Sequence, residues 1–318
     1  MGDGFDFWWD VAEYKFIKTK EVGTGKEGVF LTTGLPLGPC GAARRRYCPL
    51  EDYTGLFRTF AETEPTEVGI LGFANNYGLL MRDNSNMHLG LSGESEATRI
   101  ELPSNSKEPA IGEGEPLDLW QSEIYSMHLA LILWDSSQNE DVETLGNYIE
   151  STVNGIYFKH KDKDVQPIAT STFHPELLQW FPTGDVIGPA FYLTSQYVNK
   201  YLSCLQQLRW DPVNPRRLSL CYTPDSLLEA LWLQFALAVH RNKLYRRCQQ
   251  CGIWFELSPD KARTSRLFCS GACRSKNYRE KQAKAREMYK AGSTLENIAK
   301  ALDTDTRTVQ GWMETHGR

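Results

Sequence analysis

Four cysteines near the carboxyl end have the types and spacing of a metal-ligand set. They read Cys248-Gln249-Gln250-Cys251-Gly252 and Cys269-Ser270-Gly271-Ala272-Cys273, a C-x2-C pair and a C-x3-C pair separated by 17 residues. Zn²⁺ imposes no geometry of its own and takes four thiolates tetrahedrally at about 2.3 Å. A tight C-x2-C turn sets two sulfurs on one side, and the glycine that follows lets the chain fold beneath the metal. Four protein ligands leave no open coordination position, so the expected site is structural and holds one Zn²⁺. Free thiols and two disulfides are the alternatives, but cytosolic thiols rarely pair, and unrelated cysteines rarely fall as two close pairs.

The segment between the pairs is too short to build a core, so metal binding must supply much of its folding free energy. Trp254, Phe255, Leu267 and Phe268 are expected to cluster beside the metal, with Arg246, Arg247, Arg274 and Lys276 offsetting its negative tetrathiolate charge. Cys40, Cys48, Cys204 and Cys221 lack such spacing and read as buried or free thiols. A second metal site on Cys40, Cys48 and a distant histidine is a weaker alternative.

Downstream, the pattern becomes helical. A helix from about Cys273 through Tyr289 is expected to stop at Gly292. Ser293-Thr294-Leu295-Glu296 fits a capping box, with Ser293 as the cap of a second helix over Thr294 to Leu302. Asp305 is expected to cap a third helix over Thr306 to Met313. Leu295, Ile298, Ala299, Leu302, Val309 and Trp312 would form their shared core. This is a helix-turn-helix pattern, whose last helix enters the major groove of double-stranded DNA through its first turns. Thr306, Arg307 and Gln310 are the candidate base readers, Arg307 toward guanine and Gln310 toward adenine. Arg274, Lys276, Arg279, Lys284 and Lys300 are the candidate phosphate contacts.

The charge distribution fits a polyanionic partner. The net charge is −5, but Arg241 to Arg318 holds 17 Lys+Arg against 8 Asp+Glu, leaving 18 against 32 in the rest. An acidic body thus carries a basic tail. Most of that excess lies on the zinc segment. From Lys281 onward there are only 7 basic residues against 5 acidic. Asp303 and Asp305 flank the reading helix and would repel phosphate unless engaged in capping. A three-helix bundle that docks on protein is the alternative.

The segment Arg246-Arg247-Cys248-Gln249-Gln250-Cys251-Gly252-Ile253-Trp254-Phe255, with Arg266-Leu267-Phe268-Cys269-Ser270-Gly271-Ala272-Cys273-Arg274, resembles the zinc finger of bacterial CGNR-type proteins and their relatives. The CGNR signature itself is absent, since Arg-Ser-Lys-Asn follows Cys273. Phe57 to Leu80 resembles the body of uncharacterised bacterial proteins with such a tail. Leu295 to Met313 is similar to the short helix-turn-helix of resolvases, invertases and transposases. The resemblance implies a cysteine module that binds DNA behind an amino-terminal domain of undefined activity.

The elements that must position this tail form a body that is 41% apolar when counted over the whole chain, ample for a packed core. Tyr14 to Lys20 and Val29 to Thr33 read as a hairpin around Gly23-Thr24-Gly25. Gly23 to Gly28 fits G-x-G-x-x-G, but a strand-like run follows where a dinucleotide site needs a helix. Leu50 to Ala61 and Pro65 to Tyr77 read as helices with Gly78 as a stop. Asp83 to Glu115 reads as a long polar loop. Leu117 to Trp134 reads as an amphipathic helix with Trp120, Ile124, Met127, His128, Leu131 and Ile132 inward. Asp141 to Ile149 reads as a short helix. Gly155 to His160 is expected to pair with Arg217 to Tyr222 around a helix over Val186 to Leu208. Thr223-Pro224 is expected to open a last body helix reaching Lys243.

The expected architecture is therefore α+β and mostly α, with a small antiparallel sheet. Its parts are a body over 1–243, a four-cysteine zinc finger over 244–280 and a helix-turn-helix over 281–318. No apolar run is long enough to span a bilayer, so a cytoplasmic protein without membrane partners is expected. No nucleophile or acid–base constellation stands out. The function expected is a bacterial transcription regulator that binds double-stranded DNA, whose body senses a small molecule or forms a homodimer. The alternatives are an enzyme or effector body with a targeting tail, and a protein-interaction module of a defence system.

Overall fold

The computed structural model describes residues 7–10, 14–33, 44–81, 98–103, 110–160, 163–202, 205–210, 218–224, 226–257 and 265–314. Two compact units emerge, Met1–Lys243 and Leu244–Arg318.

The first unit opens with β1 (Phe7–Asp10), β2 (Lys15–Lys20), β3 (Glu27–Thr32) and β4 (Arg44–Tyr47). β1 and β4 pair antiparallel. The expected hairpin is present, with Lys15 opposite Thr32 and Lys20 opposite Glu27. Next come α1 (Pro49–Asp52), α2 (Leu56–Ala61) and α3 (Glu67–Tyr77). Thr66 caps α3 by accepting from the Gly69 amide at 3.2 Å, and Gly78 ends it as expected.

The segment read as a loop instead carries β5 (Thr98–Leu102) and β6 (Ala110–Pro116). They extend the hairpin into an antiparallel sheet of order β2-β3-β6-β5. The glycines that suggested a loop are there because side chains need the room. A Cβ at Gly112 would lie 2.6 Å from Leu102 Cδ1, and one at Gly114 would lie 2.7 Å from Ile100 Cδ1. Phe30, Ile100 and Leu102 fill the space over the sheet.

α4 (Leu117–Gln138) is the central helix of the unit and packs on α2. Trp120, Ile124, Met127, Leu129, Ala130, Leu131, Leu133 and Trp134 are buried, so apolar contacts surround more of it than one stripe. His128 is exposed, against expectation. Trp120 meets Phe60 and Phe73 edge-on at centroid distances of 6.2 and 6.0 Å. Arg58 clamps α2 to α4 through a two-pronged pair with Asp135, at 2.8 and 2.7 Å.

After α5 (Val142–Gly146), capped by Asp141, come β7 (Ile149–Thr152), β8 (Gly155–His160) and β9 (Lys163–Thr170). They form one three-stranded antiparallel sheet. β8 therefore pairs with its chain neighbours and not with the distant strand that alternation suggested. α6 (Leu177–Trp180) and α7 (Ile187–Tyr201) follow. α7 stops short of the expected end, and 205–210 forms β10 (Leu205–Trp210), paired with β11 (Leu218–Thr223). α8 (Leu227–His240) closes the unit. Its cap is Ser226, whose hydroxyl accepts from the Glu229 amide at 3.2 Å. Thr223, the expected cap, is the last residue of β11.

α8 carries one buried amide, and its partners explain it. Gln234 Oε1 accepts from the Phe57 amide at 3.1 Å, while Nε2 donates to the Tyr53 carbonyl at 2.9 Å and to the Pro49 carbonyl. A buried polar group is tolerated when it is fully hydrogen-bonded. Here it fixes α8 against the ends of α1 and α2. No helix among the described residues is long and apolar enough to cross a membrane.

Glu123 on α4 is a different case. It is 8% exposed, Oε1 accepts from Tyr201 Oη at 3.2 Å, and Oε2 has no hydrogen-bond partner among the described residues. Burial raises its carboxyl above the ordinary 4.5, although Tyr201 and Lys200 pull the other way. The folded state thus holds this proton more tightly than the unfolded chain does. Stability is full below the ordinary value and falls as pH rises through the window up to the raised one. Glu123→Gln, which cannot ionise, is expected to lose this pH dependence, so its stability rises relative to the parent protein as pH climbs through that window. Thermal unfolding of both proteins across pH tests this, and an unchanged difference between them from acid to neutral pH would refute it.

Candidate metal centre

The second unit begins with a two-stranded hairpin, β12 (Leu244–Arg247) and β13 (Trp254–Leu257), which the spacing of the cysteines did not reveal. Its turn is the first cysteine pair. The Cys248 amide donates to the Ile253 carbonyl and the Gly252 amide donates to the Cys248 carbonyl, both at 2.9 Å. Gly252 sits at φ +72°, a left-handed conformation that side chains disfavour. The chain therefore turns back under Cys248 and Cys251 as the C-x2-C-G spacing demands.

The second pair is placed by a helix start. α9 (Gly271–Lys290) is capped by Ser270, which accepts from the Cys273 amide at 3.2 Å. The helix thus opens two residues earlier than expected and holds Cys273 in its first turn. The two halves are joined by the Gln249 amide donating to the Leu267 carbonyl at 3.1 Å. Gln250 Nε2 adds a bond to Glu280 Oε2 at 2.9 Å.

These constraints bring all four sulfurs within 4.8 Å of one another. Cys251 Sγ lies 3.6 Å from Cys269 Sγ, which lies 3.4 Å from Cys273 Sγ. Four thiolates around one tetrahedral ion at about 2.3 Å would be separated by about 3.8 Å. A disulfide needs about 2.05 Å. The sulfur group therefore fits a single shared metal ion and no disulfide between those pairs. An ion held by four thiolates would have no open position and would serve to hold the fold together.

The surroundings favour negative charge on sulfur unevenly. At Cys248, burial works to raise the thiol, but backbone amides of Cys269, Cys251 and Gln250 outweigh it and bring the value down to about 6. Burial pushes the Cys251 and Cys269 thiols up, aided at Cys269 by the neighbouring sulfurs. Crowded thiols that resist ionising together are what a divalent cation relieves. The amino terminus of α9 adds its positive dipole end beside the cluster.

The apolar support is smaller than expected and differs in membership. Phe255 and Leu257 are buried with Cys248, and Phe268 packs against them. Leu267 is 41% exposed and is no part of that cluster. The arginines also play other parts. Arg246 Nη1 donates to the Arg266 carbonyl at 3.0 Å, and the Arg247 guanidinium lies 5.3 Å from the Trp254 ring centroid. Sequence reasoning missed Arg266. Its Nε donates to the Phe268 carbonyl at 2.7 Å, another nitrogen donates to the Cys269 carbonyl, and its guanidinium covers the Phe255 ring at 5.1 Å. It pins the backbone entering the second cysteine pair. No spacing rule marks such an arginine.

Cys48 is buried in the first unit, while Cys40 and Cys204 lie outside the described residues, as does the side chain of Cys221.

α9 continues into a three-helix arrangement with α10 (Leu295–Ala301) and α11 (Thr306–Glu314). Ala285, Ile298, Ala299, Leu302, Val309 and Trp312 are its buried residues, with Leu295 packed against them. The cap of α10 is Thr294, accepting from the Asn297 amide at 3.3 Å, and not the expected Ser293. Asp305 holds the start of α11 through the Thr308 amide at 2.8 Å and the Thr308 hydroxyl at 2.6 Å. Those bonds hold its carboxyl below the usual range.

Arg274, Lys276, Arg279 and Lys284 are exposed on α9, Lys300 on α10, and Thr306, Arg307 and Gln310 on α11. Several have weak local partners. Lys276 lies 3.9 Å from Glu280, Arg279 Nε donates to the Ser275 carbonyl at 3.4 Å, and Gln310 Nε2 donates to Glu314 at 2.9 Å. Comparison with protein-family models, with curated proteins and with solved structures found no match.

Proposed function

We propose that this chain is a zinc-containing DNA-binding protein, a bacterial transcription regulator whose body senses a ligand or dimerises. One observation carries the reading: a hairpin turn and the start of a basic helix bring four thiols together, with Cys273 in that helix's first turn, and the helix is itself one wall of a three-helix unit. A metal there fixes α9 at its start, and α9 fixes α10 and α11. The exposed faces then hold cations where phosphates would lie and Arg307 with Gln310 where base edges would lie.

The ion is zinc in this reading. A tetrahedral thiolate set suits zinc or iron. A reduced, iron-free protein with stoichiometric zinc by elemental analysis is the expected result, and a visibly coloured iron-bearing protein would overturn it.

The local partners do not oppose DNA strongly. Exposed pairs such as Lys276 with Glu280 contribute little and exchange readily for phosphate. Asp305 spends its charge on the amino terminus of α11, where a carboxylate is favourable. The likeness of Leu295 to Met313 to resolvase-type helix-turn-helices, and of the cysteine module to CGNR-type fingers, points the same way.

Selection of bound sequences from a random duplex pool, followed by gel shifts on the winner, tests the reading. Affinity is expected to fall steeply with salt. Arg307→Ala is expected to cost about 1–3 kcal/mol and relax preference at one base pair, while Lys284→Ala lowers the salt slope by about one. Absence of any duplex binding by metal-loaded protein would sink the proposal.

A further inference from the structure

The body holds a feature that no sequence motif marked. Between the β7-β8-β9 sheet and α7 lies an open cleft of about 350 Å³. Phe158 of β8 lines it, as does Phe173, which is 46% exposed. Tyr192, Gln196 and Lys200 are one face of α7 at helical spacing, with Tyr197 beside them. An exposed apolar ring in a concave, aromatic-lined site is a common mark of ligand binding.

Among the described residues, no carboxylate lines the cleft. His174 is paired with Glu176, its Nδ1 3.0 Å from Oε1. Lys200 is the fixed cation. Its ammonium donates to Tyr201 Oη at 3.1 Å, and Tyr201 in turn donates to Glu123 at 3.2 Å. One ammonium N–H is thus anchored, and an ammonium has three. Burial pushes the Tyr197 hydroxyl up to about 12, so it stays neutral and offers a donor instead of a second charge.

We propose that this cleft binds a one- or two-ring aromatic carboxylate, with the carboxylate on Lys200 and the ring among Phe158, Phe173, Tyr192 and Tyr197. The volume is at the small end of the range for ligand sites, about 300–1,000 Å³. A nucleotide fits poorly, because among the described lining residues a phosphate dianion would meet one lysine. The proposal rests on the ligand-sensing part of the function above. Its test uses no DNA, so failure of the cleft and failure of the tail to bind DNA are separate results.

Calorimetric titration of the full-length protein with 1-naphthoate, and with the neutral 1-naphthylmethanol, tests it. Lys200 and Phe173 are both exposed, so their substitution removes no core packing. 1-Naphthoate is expected to bind one per chain and more tightly than the alcohol. Lys200→Gln is expected to weaken the acid about tenfold and leave the alcohol unchanged, with Lys200→Arg restoring most of the loss. Phe173→Ala is expected to weaken both ligands severalfold. No heat with 1-naphthoate at millimolar concentration, or equal binding by the Lys200→Gln protein, would overturn the proposal.

Discussion

Cys269→Ser is expected to strip the metal from the protein and unravel the segment from Leu244 to the start of α9, leaving the first unit intact. The reason is how little else holds that segment. Among the described residues, its buried apolar side chains beside Cys248 are Phe255 and Leu257, with Phe268 packed on them. Such a cluster cannot balance the conformational entropy of ordering some thirty residues, at about 1–2 kcal/mol each for the backbone. A structural Zn²⁺ contributes about 10–16 kcal/mol of apparent binding free energy in comparable small modules. Serine removes one of four thiolates, and Cys269 is the sulfur that lies within 3.6 Å of Cys251 and 3.4 Å of Cys273. After dialysis against a mild chelator, the variant is expected to hold far less than one metal per chain. Trypsin is expected to cut between Leu244 and Arg274 many times faster than in the parent protein. Cys48→Ser, in the other unit, is the control and keeps the full metal content. A Cys269→Ser protein with unchanged metal and unchanged protease resistance would contradict the metal-organised picture outright.

The same physics explains what was legible in the sequence. Metal ligands announce themselves because sulfur spacing is set by the ion's geometry, which is the same in every fold. Cys248, Cys251, Cys269 and Cys273 could therefore be grouped without knowing the strands between them. α3 and α4 were legible because a glycine stop and a long apolar pattern are local signals. The failures fall where local signals compete. Gly112 and Gly114 read as loop residues, yet they are strand positions emptied for Leu102 and Ile100. Leu205 and Leu208 are three apart, as in a helix, yet they belong to β10. Thr223-Pro224 has the chemistry of a helix start, but Thr223 is committed to β11 and Ser226 lies nearer the first apolar turn. The partner of β8 could not be read at all, since alternation gives a strand its two faces but not its neighbour. The cleft was invisible for a similar reason. Phe158, Phe173 and Lys200 are distant in sequence and meet only because α7 packs over the β7-β8-β9 sheet.

Trp312→Ala is the second large effect expected, and it separates the terminal helices from the metal. Trp312 is 3% exposed, its ring meets Tyr278 edge-on at 5.5 Å, and its Nε1 donates to Tyr278 Oη at 2.8 Å. It thereby joins α11 to α9, the helix that begins at the cysteines. Truncating a buried tryptophan costs about 3–5 kcal/mol through lost transfer energy and the cavity left behind. The core it leaves is Ala285, Ile298, Ala299, Leu302 and Val309, which is small for helices of seven and nine residues. Isolated helices that short are marginal in water. The cost therefore exceeds what remains, and α10 and α11 are expected to melt while the metal stays bound by Cys248, Cys251, Cys269 and Cys273. Circular dichroism is expected to show a loss of helix matching those two elements, with metal content unchanged. Under the proposed function, duplex binding is lost in parallel, because Arg307 and Gln310 no longer share a rigid face. Tyr278→Phe removes only the hydrogen bond and keeps the ring contact, so it is expected to cost about 1 kcal/mol and to leave the helices folded. If Trp312→Ala kept its full helix content, Trp312 would not be what holds α11, and the rigid presentation of its exposed residues would need another source.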